Sequence, residues 1–283
     1  MIQGRCLCGT VRYEIDGPVS RMLHCHCSMC RKHHGTPYVT WAVAPLAGFR
    51  YTAGESSVER YASSPDFQRS FCKVCGSVVP DTLPSSGVVI CPAGNLEGDL
   101  GVEPSFHMFV GSRAPWHEIT DDLPQFDEYP PELGIPATSR PIVEVHDGDV
   151  HGSCLCGDVA FAISGPALRM FYCHCSRCRR GRSAAHASNV FYQAEGLRWL
   201  RGADLVQDYQ LPEAQFFGTA FCRRCGSSLP RVSVERNVAV VPAGCLDSDP
   251  GMRVQAHICV DSKAGWDHIT DQVPQFADMP PRR

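Results

Sequence analysis

Cys25-His26-Cys27-Ser28-Met29-Cys30-Arg31 returns 148 residues later as Cys173-His174-Cys175-Ser176-Arg177-Cys178-Arg179. A triple-cysteine stretch written twice decides how the rest of the chain divides. Upstream of it, Cys6-Leu7-Cys8-Gly9 matches Cys154-Leu155-Cys156-Gly157 at the same offset. Downstream, Phe71-Cys72-Lys73-Val74-Cys75-Gly76-Ser77 matches Phe221-Cys222-Arg223-Arg224-Cys225-Gly226-Ser227 at an offset of 150, so the intervening loops have gained two residues. The register then holds: Pro92-Ala93-Gly94 with Pro242-Ala243-Gly244, Trp116 and Ile119-Thr120-Asp121 with Trp266 and Ile269-Thr270-Asp271, and Pro124-Gln125-Phe126 with Pro274-Gln275-Phe276.

Repeats this long can each bury a core of their own, unlike the short units of a solenoid, so the expectation is two tandem domains. Residues 1–127 form the first and 149–283 the second. Between them, 128–148 carries Pro130, Pro131, Pro136 and Pro141 and reads as an extended, semi-rigid linker. Within each copy the strand signals are short: alternation over Thr10 to Ile15 and Val159 to Ile163, and β-branched or aromatic runs at Val39 to Val43, Val88 to Ile90, Val238 to Val241 and Phe106 to Val110. No long helical stripe competes with them. The fold class is therefore mainly β, with short strands and long loops.

Composition narrows the function. A hydrophobic content of 43% argues against disorder, and a net charge of −4 offers no electrostatic footprint for nucleic acid. No run of about 18 apolar residues is present to span a bilayer. The start, Met1-Ile2-Gln3-Gly4-Arg5-Cys6, lacks a basic segment followed by an apolar one, so a cytoplasmic location with reduced thiols is expected. In that compartment 17 cysteines point to metal binding or catalysis in preference to a disulfide framework.

Their spacing separates two kinds of site. Cys6, Cys8, Cys72 and Cys75, repeated as Cys154, Cys156, Cys222 and Cys225, offer four thiolates, a closed tetrahedral shell for Zn²⁺. Because such a site hardly exists in the unfolded chain, metal binding would add folding energy on the order of 10 kcal/mol. Cys25, Cys27 and Cys30, repeated as Cys173, Cys175 and Cys178, offer three thiolates and no fourth cysteine common to both copies. Three protein ligands leave a coordination position for substrate, the pattern of catalytic zinc. Two zincs per domain and four per chain follow. The rival is a site closed by a histidine, for which His24, His26, His33, His34 and His107, or His174, His186 and His257, are available. His26 and His174, lying between ligands, are expected to point away from their metal. Cys91, Cys245 and Cys259 have no cysteine partner in the other copy and read as small buried hydrophobes.

Taken in order, Cys-x-Cys-Gly, Cys-His-Cys-x-x-Cys-Arg, Cys-x-x-Cys-Gly-Ser, Pro-Ala-Gly and Trp-x-x-Ile-Thr-Asp resemble the glutathione-dependent formaldehyde-activating enzyme (GFA) family, also called the CENP-V/GFA domain. The resemblance covers both copies. It implies two tandem Mss4-like zinc-binding β domains, with the four-cysteine sites structural and the three-cysteine sites catalytic. It also implies a carbon-sulfur lyase of the S-(hydroxymethyl)glutathione synthase type, joining or separating a glutathione-like thiol and a formaldehyde-like aldehyde. The alternative is a zinc-stabilised module that carries glutathione or binds a protein partner without turnover. Arg177, Arg179, Arg180, Arg182, Arg223 and Arg224 in copy two, against Arg31, Lys32 and Lys73 in copy one, would receive substrate carboxylates or offset the thiolates. After the three-cysteine motif His33-His34-Gly35-Thr36-Pro37 gives way to Gly181-Arg182-Ser183-Ala184-Ala185, so the two pockets should differ, with copy one nearer the family pattern. A tandem chain of this kind is expected to pair its copies as an intramolecular pseudo-dimer.

Overall fold

The β-branched runs become strands, each copy building the same mixed six-stranded sheet. A computed structural model describes residues 1–65, 67–134 and 148–280. In copy one the strand order is Gln125–Phe126, Pro104–Met108, Arg21–Cys25, Val39–Pro45, Val88–Pro92, Asp81–Leu83. Copy two repeats it with Gln275–Phe276, Ala256–Ile258, Arg169–Cys173, Ala187–Tyr192, Val238–Pro242 and Arg231–Ser233. The strand that ends in the first cysteine of the triple motif is central in both sheets. It pairs antiparallel on one side (Cys25 with Val39) and parallel on the other (Cys25 with Met108), which holds that cysteine from both edges.

Smaller sheets carry the four-cysteine loops. Ile2–Arg5 and Arg12–Ile15 pair as a hairpin around Cys6 and Cys8, and Val58–Ser64 pairs with Phe67–Cys72, which delivers Cys72. Two helices interrupt the β pattern: α1 (Ser28–His34) and α2 (Ser176–Arg182), seven residues each. They are too short to show an apolar stripe, and their start is set by the cysteines themselves. Cys27 and Cys175 are the N-cap residues, each sulfur accepting the N–H of the cysteine three residues on, at 3.4 Å.

The two copies share their cores. Ala114 and Trp116 of copy one lie in the hydrophobic cluster built by Phe161, Tyr192, Leu229 and Val241 of copy two. Ala185, Ala264 and Trp266 of copy two lie among Tyr13, Met22, Val89 and Leu96 of copy one. Hydrogen bonds cross the same way, from the Ser183 hydroxyl to the Val78 carbonyl (2.9 Å) and from the Ser228 hydroxyl to the His34 carbonyl (3.2 Å). Lys32 of α1 reaches Asp247 in a mostly buried ion pair. Of the linker over 128–148, residues 135–147, with Pro136 and Pro141, lie outside the described residues. Its start packs on copy one, where Tyr129 meets Phe109 with ring centroids 4.7 Å apart.

Candidate metal centres and the histidine pocket

Each four-cysteine set comes together from a hairpin and a strand end. The sulfurs of Cys6, Cys8, Cys72 and Cys75 lie within 4.8 Å of one another, as do those of Cys154, Cys156, Cys222 and Cys225. Neighbouring sulfurs stand at 3.4 and 3.8 Å in copy one and 3.3 and 3.9 Å in copy two. A tetrahedron of thiolates around zinc has edges of roughly 3.8 Å, given Zn–S bonds near 2.3 Å, so the donor sets fit that ion. Backbone N–H groups of Val11 and Val159 point at Cys6 and Cys154 from 3.3 Å, which favours thiolate at those positions.

The three-cysteine sets are also assembled: Cys25, Cys27 and Cys30, and Cys173, Cys175 and Cys178, each within 4.8 Å. Among the described residues no histidine or carboxylate joins either set, so the histidine-closed alternative finds no donor in place. In copy one a cation missed by sequence reasoning stands beside the thiols, the buried Arg69 placing Nη1 at 3.7 Å from Cys30 Sγ. Copy two has Thr219 at that position. Of the other basic residues, Arg180 is paired to Glu97 and Arg224 to Asp158, whereas Arg182 is buried with Nη1 unpartnered among the described residues. Cys91 and Cys245 are core residues, but Cys259 packs against the cluster that contains Cys173 and Cys178.

His26 and His174 turn away from the sulfurs into buried hydrogen-bond chains. His107 donates from Nε2 to Asp121 (3.0 Å), leaving its Nδ1 to accept from His26 Nε2 at 2.8 Å. Copy two repeats this with Asp271, His257 and His174, at 3.0 and 2.9 Å. The copies differ at the far nitrogen. His174 Nδ1 meets Asp267 at 3.0 Å, while the equivalent of Asp267 is His117, and His26 Nδ1 has no partner among the described residues. The two chains of residues converge on a pocket between the copies, lined also by Tyr38, Tyr172 and His186, with Thr120 and Thr270 hydroxyls 2.5 Å apart across it. Burial, reinforced by neighbouring histidines, pushes His186 well below its ordinary pKa and His117 to about 3. The repeated Ile-Thr-Asp was visible in the sequence, but its role as the anchor of a histidine required the fold.

The description "Glutathione-dependent formaldehyde-activating enzyme" belongs to the family model that matches residues 1–112 and 149–262. The chain belongs to the GFA family. The GFA match falls on both copies, and the predominance of short strands agrees with the fold class read from the sequence. This GFA chain is 30% identical over 82 residues to a protein named as an uncharacterized lyase of Schizosaccharomyces pombe, covering 27% of this chain and 54% of that protein. The chain thus spans about half the length of the curated relative it matches. A crystal structure of a Rhodobacter sphaeroides protein is 24% identical and covers 34% of this chain and 89% of its own, with a TM-score of 0.28. Among the described residues no helix is long and apolar enough to cross a membrane.

Proposed function

We propose that this protein is a zinc-dependent carbon-sulfur lyase that condenses a small glutathione-like thiol with a small formaldehyde-like aldehyde, or cleaves the adduct, at the three-cysteine sites. The observation that carries this is the pair of preassembled three-thiol sets that no histidine or carboxylate joins among the described residues. Four zincs per chain are inferred, the four-thiol sites structural and the three-thiol sites catalytic. Zinc bound by three thiolates would keep a substrate thiol in its nucleophilic, deprotonated form.

The chain's own residues hold that arrangement. Cys27 and Cys175 are fixed by their capping bonds, and the buried guanidinium of Arg69 in copy one offsets thiolate charge beside Cys30. The Asp–His–His chains lock the backbone segments between Cys25 and Cys27 and between Cys173 and Cys175, so they act as positioning groups. Two domains, 1–127 and 149–283 joined by 128–148, are proposed to form an intramolecular pseudo-dimer, which the reciprocal exchange of Trp116 and Trp266 supports. A cytoplasmic setting suits free thiols.

Exchange NMR of glutathione and formaldehyde tests the reading: zinc-loaded protein should accelerate adduct exchange, and spontaneous rates with fully loaded protein would count against it. For copy one alone the non-catalytic reading has support, because Cys25, Cys27 and Cys30 are all buried among Trp41, Val39 and Val78, with Arg69 beside them.

A further inference from the structure

The copies differ most at the wall beside the third cysteine. Gly181, Asn189, Thr219 and Arg231 of copy two occupy the positions of His33, Trp41, Arg69 and Asp81 in copy one. All four copy-one side chains are buried. Their smaller or outward-turned counterparts leave a cavity of about 180 Å³ whose lining includes Cys178, Arg182, Asn189 and Phe217. That is the volume of about six waters in the liquid. Phe216, 60% exposed, marks the solvent side of the lining.

Arg182 gives the cavity its chemistry. The residue is 8% exposed; Nη2 is 3.4 Å from Asn189 Oδ1, and Nη1 is buried with no partner among the described residues. An unpaired buried guanidinium nitrogen is costly unless an anion completes it. Arg231 is already committed, to the Phe216 carbonyl and to Gln210. One free cationic donor, an apolar wall and a thiol-type metal centre at one end together select a short molecule with a thiol and a carboxylate.

We propose that copy two is the ligand-binding half, its cavity beside Cys178 receiving a small carboxylate-bearing thiol with the carboxylate on Arg182, while copy one's equivalent space is plugged by Trp41 and Arg69. This rests on the zinc reading above and reverses the expectation that copy one is the more competent half. The ligand gives up its S–H proton to solvent on binding and is held as thiolate, with no other bond made or broken. Copy one then serves as the fixed partner that supplies Trp116 to copy two's core.

The test uses the full chain with cobalt(II) in place of zinc, titrated with 3-mercaptopropionate and with neutral 2-mercaptoethanol, and reads sulfur-to-cobalt charge-transfer absorption and calorimetric affinity. One new thiolate per chain is expected, with the acid binding more tightly than the neutral thiol. Arg182→Gln should weaken the acid by roughly tenfold, the loss of a charge-assisted bond, and leave the neutral thiol within about twofold. Asn189→Trp and Thr219→Arg, which install copy one's plugs separately, should each abolish binding while the chain still holds four metals. Undiminished binding in a folded plug variant, or equal loss of both thiols in Arg182→Gln, overturns the proposal. So does binding that appears only in Cys259→Ala, since Cys259 would then be what closes the site. A wild-type chain holding only two metals would instead sink the zinc reading, which keeps the two failures apart.

Discussion

Ser183 holds a left-handed backbone, φ 53°, at the end of α2, where copy one uses Gly35 at φ 72°. A side chain there costs about 1–2 kcal/mol, and the hydroxyl offsets it by sharing its one proton between the Val78 carbonyl of copy one (2.9 Å) and the Arg180 carbonyl in its own helix (3.2 Å). Ser183→Ala keeps the strain and loses this shared bond, so it should cost about 1 kcal/mol in urea unfolding. Ser183→Gly loses the bond and the strain together and should be close to neutral. If alanine is as stable as the wild-type serine, the hydroxyl contributes nothing; if alanine is as stable as glycine, the left-handed backbone carries no strain. The cysteines obey simpler logic, and paired Cys27→Ser and Cys175→Ser replacements should lower zinc from four ions to two with the fold retained; a fall to zero would mean the two site types are not independent. At this scale the cysteine clusters were legible because each Cys-x-Cys and Cys-x-x-Cys pair is local and the whole set is written twice, which links the distant pairs. Arg69, His117 and Asp267 were not, because their partners lie 39 to 93 residues away and no spacing encodes such a meeting.

The strands were legible from β-branched runs, usually to within two residues. Val39–Pro45 and Val88–Pro92 extend the runs read at Val39 to Val43 and Val88 to Ile90, because each also gains a neighbour in the sheet that sequence alternation does not announce. The seven-residue helices were invisible for a physical reason: their register is set by a thiol cap and by sulfur convergence, and apolar periodicity plays no part. Pro-Ala-Gly was readable as a repeat, and its purpose appears only in three dimensions. A Cβ on Gly94 would lie 2.2 Å from the Ala184 carbonyl oxygen, and one on Gly244 would lie 2.3 Å from the Thr36 nitrogen. Each motif therefore packs directly against the loop that follows the opposite copy's helix. Gly94→Ala or Gly244→Ala should cost roughly 1–3 kcal/mol through overpacking against backbone that cannot turn aside. A thermal midpoint equal to wild type in either variant would mean that these elements are not in fixed contact.

Over the whole molecule the duplication serves to complete each half with parts of the other, Trp116 and Trp266 being the largest side chains exchanged. That arrangement also takes His34 and His186 out of water, and it makes a pH dependence predictable. Burial depresses His34 and His117 to about 3 and His186 well below the ordinary 6.5. For His34 the Arg182 carbonyl, which accepts from Nδ1 at 2.8 Å, only partly opposes the effect. Each histidine stays neutral in the folded chain at pH values where the unfolded chain has already taken up a proton. The unfolded state therefore binds more protons, and stability rises with pH until about 6.5 is passed. In the other direction it is lost as pH falls from 6.5 towards the depressed values, by up to roughly 1.4 kcal/mol per pH unit for each such group. His186→Tyr places the residue of copy one's Tyr38 at that position and removes one titrating group while keeping a ring against Tyr172. Urea midpoints measured from about pH 8 down to about pH 5.5, with zinc content followed at each point, should fall more steeply for wild type than for His186→Tyr. Parallel slopes at equal zinc content would show that His186 takes up its proton as readily in the folded protein as in the unfolded chain, so that the pocket between the copies admits charge despite its burial.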